Sequence, residues 1–128
     1  MAVRRVRVLN PGWVSVCSYD ALAADIGVAA LVKGRQVALF KLADGSLRAV
    51  GNRDPISGMQ KIARGVVGQA ADGRRYVALP AAKVKFDLET GESLADGSVS
   101  LPVYPVRVTE GMVEVCVPVR RRRRQSQR

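Results

Sequence analysis

Two stretches decide how this chain is read: "NRDPISG" at residues 52–58 and "ALPAAKVKFDLETG" at residues 78–91. Each holds an Xaa-Pro pair, Asp54-Pro55 in the first and Leu79-Pro80 in the second. Proline fixes its own φ and pushes the preceding residue to extended backbone, so each pair marks a sharp loop. Small and polar residues follow the first proline. After the second, Phe-Asp-Leu gives a strand signal, and Glu-Thr-Gly stops it with a turn.

Outward from these loops, strand signals dominate. Val-rich runs at 4–9, 13–19, 28–34, 35–42, 47–52, 76–80, 84–88, 103–109 and 112–119 are separated by turns. β-Branched side chains suit a pleated surface, and Val is the main source of them. Gly34 predicts a hairpin between 28–34 and 35–42. Asp44-Gly45 and Asp72-Gly73 supply turns, and "ADGS" recurs at 95–98 without matching flanks, so it is turn chemistry and not a repeat. Glu110-Gly111 closes a terminal hairpin in which Val113, Val115 and Val117 share one face. Helix is scarce. "DALAADIG" at 20–27, with Asp20 as N-cap and Gly27 as stop, allows two turns at most. "GMQKIARG" at 58–65 reads as a short turn or an irregular loop. The expectation is an all-β sandwich of short antiparallel strands, with two Pro-containing loops at one end and at most one or two short helices.

The chain has 128 residues and a formal net charge of +10. Its length suits a single domain able to bury a core without disulfides or metal. Arg120–Arg124 and Arg128 carry six of the positive charges, which leaves +4 on the rest. Self-repulsion in that run predicts a disordered tail at 119–128 behind a folded domain at 1–118. Cys17 and Cys116 lie far apart in apolar runs and read as buried, reduced residues. The sequence shows no signal-peptide pattern and no apolar run near the ~20 residues that span a bilayer. A cytoplasmic protein is expected. No phosphate-cradling Gly motif opens a helix, and no nucleic-acid-binding motif appears. The chain contains no histidine. Its acids, Asp20, Asp25, Asp44, Asp72, Asp87, Asp96, Glu89, Glu92 and Glu110, fall mostly in turns, and Asp87 is expected to face water.

The order of elements resembles the Rieske family of iron–sulfur domains: hairpin, Xaa-Pro loop, insertion, second Xaa-Pro loop, "FDLETG", a Pro-containing strand and a last strand. In that family a Cys-Pro-His loop and a Cys-Pro-x-His loop hold a [2Fe–2S] cluster through two thiolates and two imidazoles. Carried across, the ligand positions fall on Asp54 and Ile56 in the first loop and on Leu79 and Ala82 in the second. No thiolate or imidazole stands at any of them. The resemblance therefore implies a vacated frame and no metal or other cofactor on this chain.

Within the family, the chain is more similar to the branch of small subunits of assimilatory NAD(P)H-dependent nitrite reductases. "GWVSVCSYDAL" (12–22), residues 27–58, "IARGVVGQ" (62–69), residues 79–96 and "VYPVRVTEGMVEV" (103–115) carry this similarity. Arg64 to Gly68 is its most diagnostic piece. Ile56 departs mildly from the branch, where an aromatic residue usually follows the Pro. The similarity implies an accessory subunit with no active site of its own. Its partner would be a large subunit bearing FAD, siroheme and a [4Fe–4S] cluster, and nitrite would be reduced to ammonium for nitrate assimilation. Arg53, Arg64, Arg74 and Arg75 are expected near the loop end, where they could meet an acidic partner. Packing between Ile56, Leu79 and Ala82, with Asp54 as a turn former, is expected to fill the place of the cluster. The alternative is a ligand-free interaction module, unconnected with nitrite reductase, that contacts nucleic acid through the Arg tail. An authentic Rieske electron carrier is removed by the lack of histidine.

Overall fold

The computed structural model describes residues 12–79, 83–95 and 97–118. The expected strand at 4–9, Pro80, Ala82, Asp96 and the tail at 119–128 lie outside them. Among the described residues there are ten strands: β1 Trp13–Ser18, β2 Val28–Val32, β3 Arg35–Lys41, β4 Leu47–Gly51, β5 Val66–Gln69, β6 Arg75–Leu79, β7 Val84–Asp87, β8 Val103–Tyr104, β9 Val106–Thr109 and β10 Met112–Cys116. They form three antiparallel sheets with strand orders β1-β10-β9, β2-β3-β4-β8 and β5-β6-β7.

The central sheet is covered on both faces, and alternation along β3 and β4 shows how. Ala38, Phe40 and Val50 pack with Ile62, Val77, Leu79, Phe86, Leu88 and Leu101, under the β5-β6-β7 sheet. Val37, Leu39 and Ala49 face the other way, toward Leu22, Tyr104, Val113, Val115 and Val117. The period of two thus feeds two cores from one sheet. The terminal valines share one face as expected, and all three are fully buried.

Local chemistry sets the turns. Lys33 and Gly34 have φ of 50° and 80°, and Glu110 and Gly111 have φ of 50° and 80°. Positive φ at both central residues twists a two-residue turn in the same sense as its strands. The expected run at 103–109 is split at Pro105, which has no N–H for a ladder. β8 pairs with β4, β9 pairs with β10, and the Pro105 carbonyl accepts the Cys116 N–H at 2.9 Å. Pro105 is thus the corner at which the chain changes sheets.

Helix is even scarcer than expected. Over 20–27 only a single 3-10 turn, Tyr19–Ala21, forms. Asp25 then turns to φ 61°, and its N–H donates to the Lys41 carbonyl at 2.7 Å. A nucleus this short is costly, and a tertiary hydrogen bond wins over it. The second turn is Ile62–Arg64. Residues 66–69, not expected as a strand, form β5 against β6. Gly65, ahead of it, admits no Cβ, which would stand 2.7 Å from the Ala78 carbonyl oxygen.

Cys17 and Cys116 are half-buried and unbridged, not fully buried. They occupy paired strands, but Cys17 faces Val113 and Cys116 faces Trp13, so they are not neighbours. Burial raises the Cys17 thiol pKa above its ordinary value. No helix among the described residues is long and apolar enough to cross a membrane.

Phe40 is fully buried between the central sheet and the β5-β6-β7 sheet. Phe40→Ala should cost about 3–5 kcal/mol, read from the midpoint of urea unfolding.

Candidate functional site: two proline loops at one end

The first loop leaves β4 at Gly51 and returns at the Ile62–Arg64 turn. Asn52, 2% exposed, closes its base. Its Nδ2 donates to Gln36 Oε1 at 3.1 Å, and its Oδ1 accepts the Ala63 N–H at 2.8 Å. Its carbonyl accepts the N–H groups of Lys61 at 2.9 Å and Ile62 at 3.0 Å. One side chain thus joins β3, β4 and the 3-10 turn. Sequence reasoning gave Asn52 no role, although an amide with four bonding sites directly before an Xaa-Pro loop is a signal for such a clasp.

Asp54, at the first ligand position, is 1% exposed and turned inward. Its Oδ1 accepts the Ile56 N–H at 3.0 Å, and its Oδ2 accepts the Ser57 hydroxyl at 2.8 Å. Its N–H donates to the Met59 carbonyl at 2.8 Å, and its carbonyl accepts the Gly58 N–H at 2.7 Å. Lys61 Nζ stands 3.8 Å from Oδ2. Burial, the largest influence, would raise the Asp54 pKa. The donors from Ile56 and Ser57, together with Lys61, outweigh it and hold the carboxyl below its ordinary value. The expected Asx turn is formed.

Ile56 does not fill the vacated place. It is 59% exposed and lines a surface groove with Val84, Leu94 and Val99. Leu79 is buried in the core under the central sheet. The expected dry contact between Ile56 and Leu79 is therefore corrected: Pro55 and the Asp54 turn direct residue 56 outward, while β6 directs residue 79 inward.

The second loop is anchored from its far side. Asp87, expected to face water, is 3% exposed. Its Oδ1 accepts the N–H groups of Glu89 at 2.7 Å and Thr90 at 3.3 Å, and its carbonyl accepts the Gly91 N–H at 2.7 Å. It is the turn former of "FDLETG". Gly91 has φ 83°, and a Cβ there would collide with the Leu101 carbonyl.

The four arginines do not gather. Arg53 and Arg64 are exposed on either side of Asn52. Arg74 and Arg75 start β6, at the opposite end from Leu79. Arg74 pairs with Asp72 at 2.9 Å and approaches Asp87 at 3.8 Å. The Asp44 pKa is lowered by the Ser46 hydroxyl and N–H, with smaller help from Arg75 and Arg48.

These loops do not suit a [2Fe–2S] cluster. Asp54 already spends its acceptor sites on its own loop, Ile56 and Leu79 offer no ligand atom, and position 82 is Ala. No group of three His, Cys, Asp or Glu that could hold a metal occurs among the described residues.

Asp54→Ala should destabilise the fold by about 1–3 kcal/mol by orphaning buried donors. A carboxylate with depressed pKa contributes stability above its unfolded value, near 4, and loses that contribution as pH falls through the folded value. Urea unfolding from pH 7 to pH 2 should therefore show the gap between wild type and variant at its widest at neutral pH and narrowing in acid.

Residues 12–116 match the family described as Rieske-like [2Fe-2S] domain. The Nitrite reductase (NADH) small subunit of Salmonella typhimurium is 32% identical over 104 residues, 80% of this chain and 95% of that protein. A crystal structure from Mycobacterium tuberculosis, assigned as an NADH-dependent nitrite reductase small subunit, is 47% identical with TM-score 0.80, covering 84% of this chain and 96% of the other. The Nitrite reductase [NAD(P)H] large subunit of Klebsiella oxytoca matches at 32% over 103 residues, 80% of this chain but 11% of that one. The chain belongs to the Rieske-like family, in the branch of nitrite reductase small subunits.

Proposed function

We propose that this chain is an accessory subunit of a cytoplasmic NAD(P)H-dependent nitrite reductase that reduces nitrite to ammonium, and that it contributes no redox centre or catalytic group. The observation that carries this reading is Asp54. The position that would hold iron carries a buried carboxylate whose acceptors are consumed within one turn. Six-electron chemistry needs cofactors. In this reading they reside on the large subunit, as FAD, siroheme and a [4Fe–4S] cluster.

The Klebsiella oxytoca protein supports the association. There a region similar to this domain is part of the chain named as large subunit. A covalent arrangement of that kind keeps domain and remainder together, one to one. We extend that pairing to separate chains. Contact of the Arg-rich residues 119–128 with nucleic acid is not needed in this account.

Co-expression with the large subunit of the same organism should yield a complex containing the two chains in equal amounts on size-exclusion chromatography. The isolated chain should show no visible absorption band, no stoichiometric iron and no nitrite-dependent NADH oxidation. Separate elution of the two chains, or iron and sulfide on the isolated chain, would overturn this reading.

A further inference from the structure

We propose that the Asp54-loop end of the molecule is the docking face, and that its occupant is an acidic protein surface with an apolar centre on the large subunit. This rests on the assembly proposed above. The fold collects several segments at this end. β3 and β4 are paired with Val37 opposite Gly51, and the Asn52 N–H donates to the Gln36 carbonyl at 3.1 Å. The β2–β3 turn therefore lies beside the first loop. Ile56 shares its groove with Lys83, Val84 and Lys85, so the start of β7 lies there too.

Charge is distributed unevenly between the two ends. Lys33, Arg53, Arg64 and Lys83 are exposed at the loop end, with Arg35 and Lys61 partly exposed. Among the described residues, the carboxylate at this end is Asp54, and it is buried. The exposed acids Asp20, Asp44, Asp72, Glu89, Glu92 and Glu110 lie away from this end, Glu92 through its carbonyl, which accepts the Asp87 N–H at 2.8 Å. Tyr19 ties the other end together: its hydroxyl donates to the Gly45 carbonyl at 2.6 Å, and its N–H donates to the Gly111 carbonyl at 2.8 Å. Arg48 pairs with Glu89 at 3.0 Å, and Arg74 with Asp72, so cations at that end are matched.

Apolar surface stands among these cations. Ile56 and Met59 are 59% and 61% exposed on one turn, closed by the Asp54 N–H to the Met59 carbonyl. A groove of about 230 Å³ opens beside Ile56, with Lys83 and Lys85 at its edge. Leu31, 72% exposed, lies at the same end of edge strand β2. The buried bonds of Asp54 and Asn52 fix this turn before any partner arrives, so little ordering cost remains on binding. Apolar anchors ringed by charge make a protein interface, with the charges steering encounter. A single-stranded nucleic acid would need rings to stack its bases. The described aromatic side chains are buried or half-buried, and none is exposed at this end.

The test uses the full chain and the purified large subunit of the same organism, with affinity measured by calorimetry over a range of salt. Ile56→Asp with Met59→Asp should weaken binding roughly 30-fold or more. Arg53→Glu with Lys83→Glu should weaken binding roughly 10-fold at low salt and flatten its salt dependence. Val108→Asp, a change on β9 at a residue 44% exposed, should bind as wild type does. All three should melt with wild type, since they alter exposed side chains. If the loop-end variants bind as wild type does while Val108→Asp weakens binding, the docking face lies elsewhere and this inference fails. If wild type itself does not bind, the assembly fails first. Tighter binding of a single-stranded oligonucleotide than of the large subunit, lost in the loop-end variants, would also overturn it.

Discussion

A buried carboxylate must be fully hydrogen-bonded or it destabilises what surrounds it. The Asp54 carboxylate meets that condition within its own loop, through the Ile56 N–H and the Ser57 hydroxyl with Lys61 nearby, while its backbone bonds Gly58 and Met59. The rest of the loop end depends on this. With Asp54 turned inward, Pro55 carries Ile56 outward, Met59 is held across the turn, and Arg53 stays on the surface. Asn52 meets the same condition one step earlier and fixes where the loop leaves the central sheet. The two residues together make a rigid turn without metal–ligand bonds.

Positioning of that turn comes from the central sheet. Because β3 is buried on both faces, any slip of its register would exchange the residues of the two cores. Phe40 and Ala38 would leave the β5-β6-β7 side, and Val37 and Leu39 would leave the other. Register is therefore strongly specified, and with it the height of Gly51 and Asn52 at the strand end. The sheet β5-β6-β7 adds a second constraint. Leu79 is buried at the end of β6, and Asp87 and Gly91 close the far turn, so the second loop starts from a fixed base. Gly65 lets β5 approach β6 closely enough to complete that base.

Periodicity made the strands legible, and Pro and Gly made their ends legible. The hairpins at Lys33-Gly34 and Glu110-Gly111 follow from residues that accept positive φ. What local reasoning missed depended on tertiary partners. The Asp25 N–H donates to the Lys41 carbonyl in place of a helix, and "VVGQ" became a strand because β6 offered it an edge. Asp87 was misjudged for the opposite reason. Its neighbours Lys85 and Glu89 are exposed, which suggests a surface strand, yet its own side chain serves the buried base of the following turn. At the site, the lack of ligands could be read from residue types alone. The outward direction of Ile56 could not, because it is set by the geometry of a turn whose key bonds involve the carboxylate two residues earlier. The scattering of the arginines was hidden for a similar reason: Arg74 precedes β6 and Arg75 opens it, and only the direction of β6 in its sheet places them far from Leu79.

A carboxylate at the position that the family resemblance assigns to a cluster ligand holds its loop differently from a cluster. A metal cluster held by both loops is a cross-link, since its bonds bridge them directly. The side-chain bonds of Asp54 instead stay within residues 56 to 61 of its own loop. The second loop is held through Leu79 in the core and through the turn at Asp87 to Gly91. Among the described residues each loop is thus fixed to the body by its own bonds, and their relative position is transmitted by the packed core of Ile62, Leu79 and Phe86. Such a core is dense and resists deformation, so the geometry of a loop pair can outlast the bonds that join it in its cluster-bearing relatives. What the loops then present is changed as well. Where ligands would face inward to iron, this chain turns one apolar side chain outward among cations, and the frame that would hold a redox centre holds a surface.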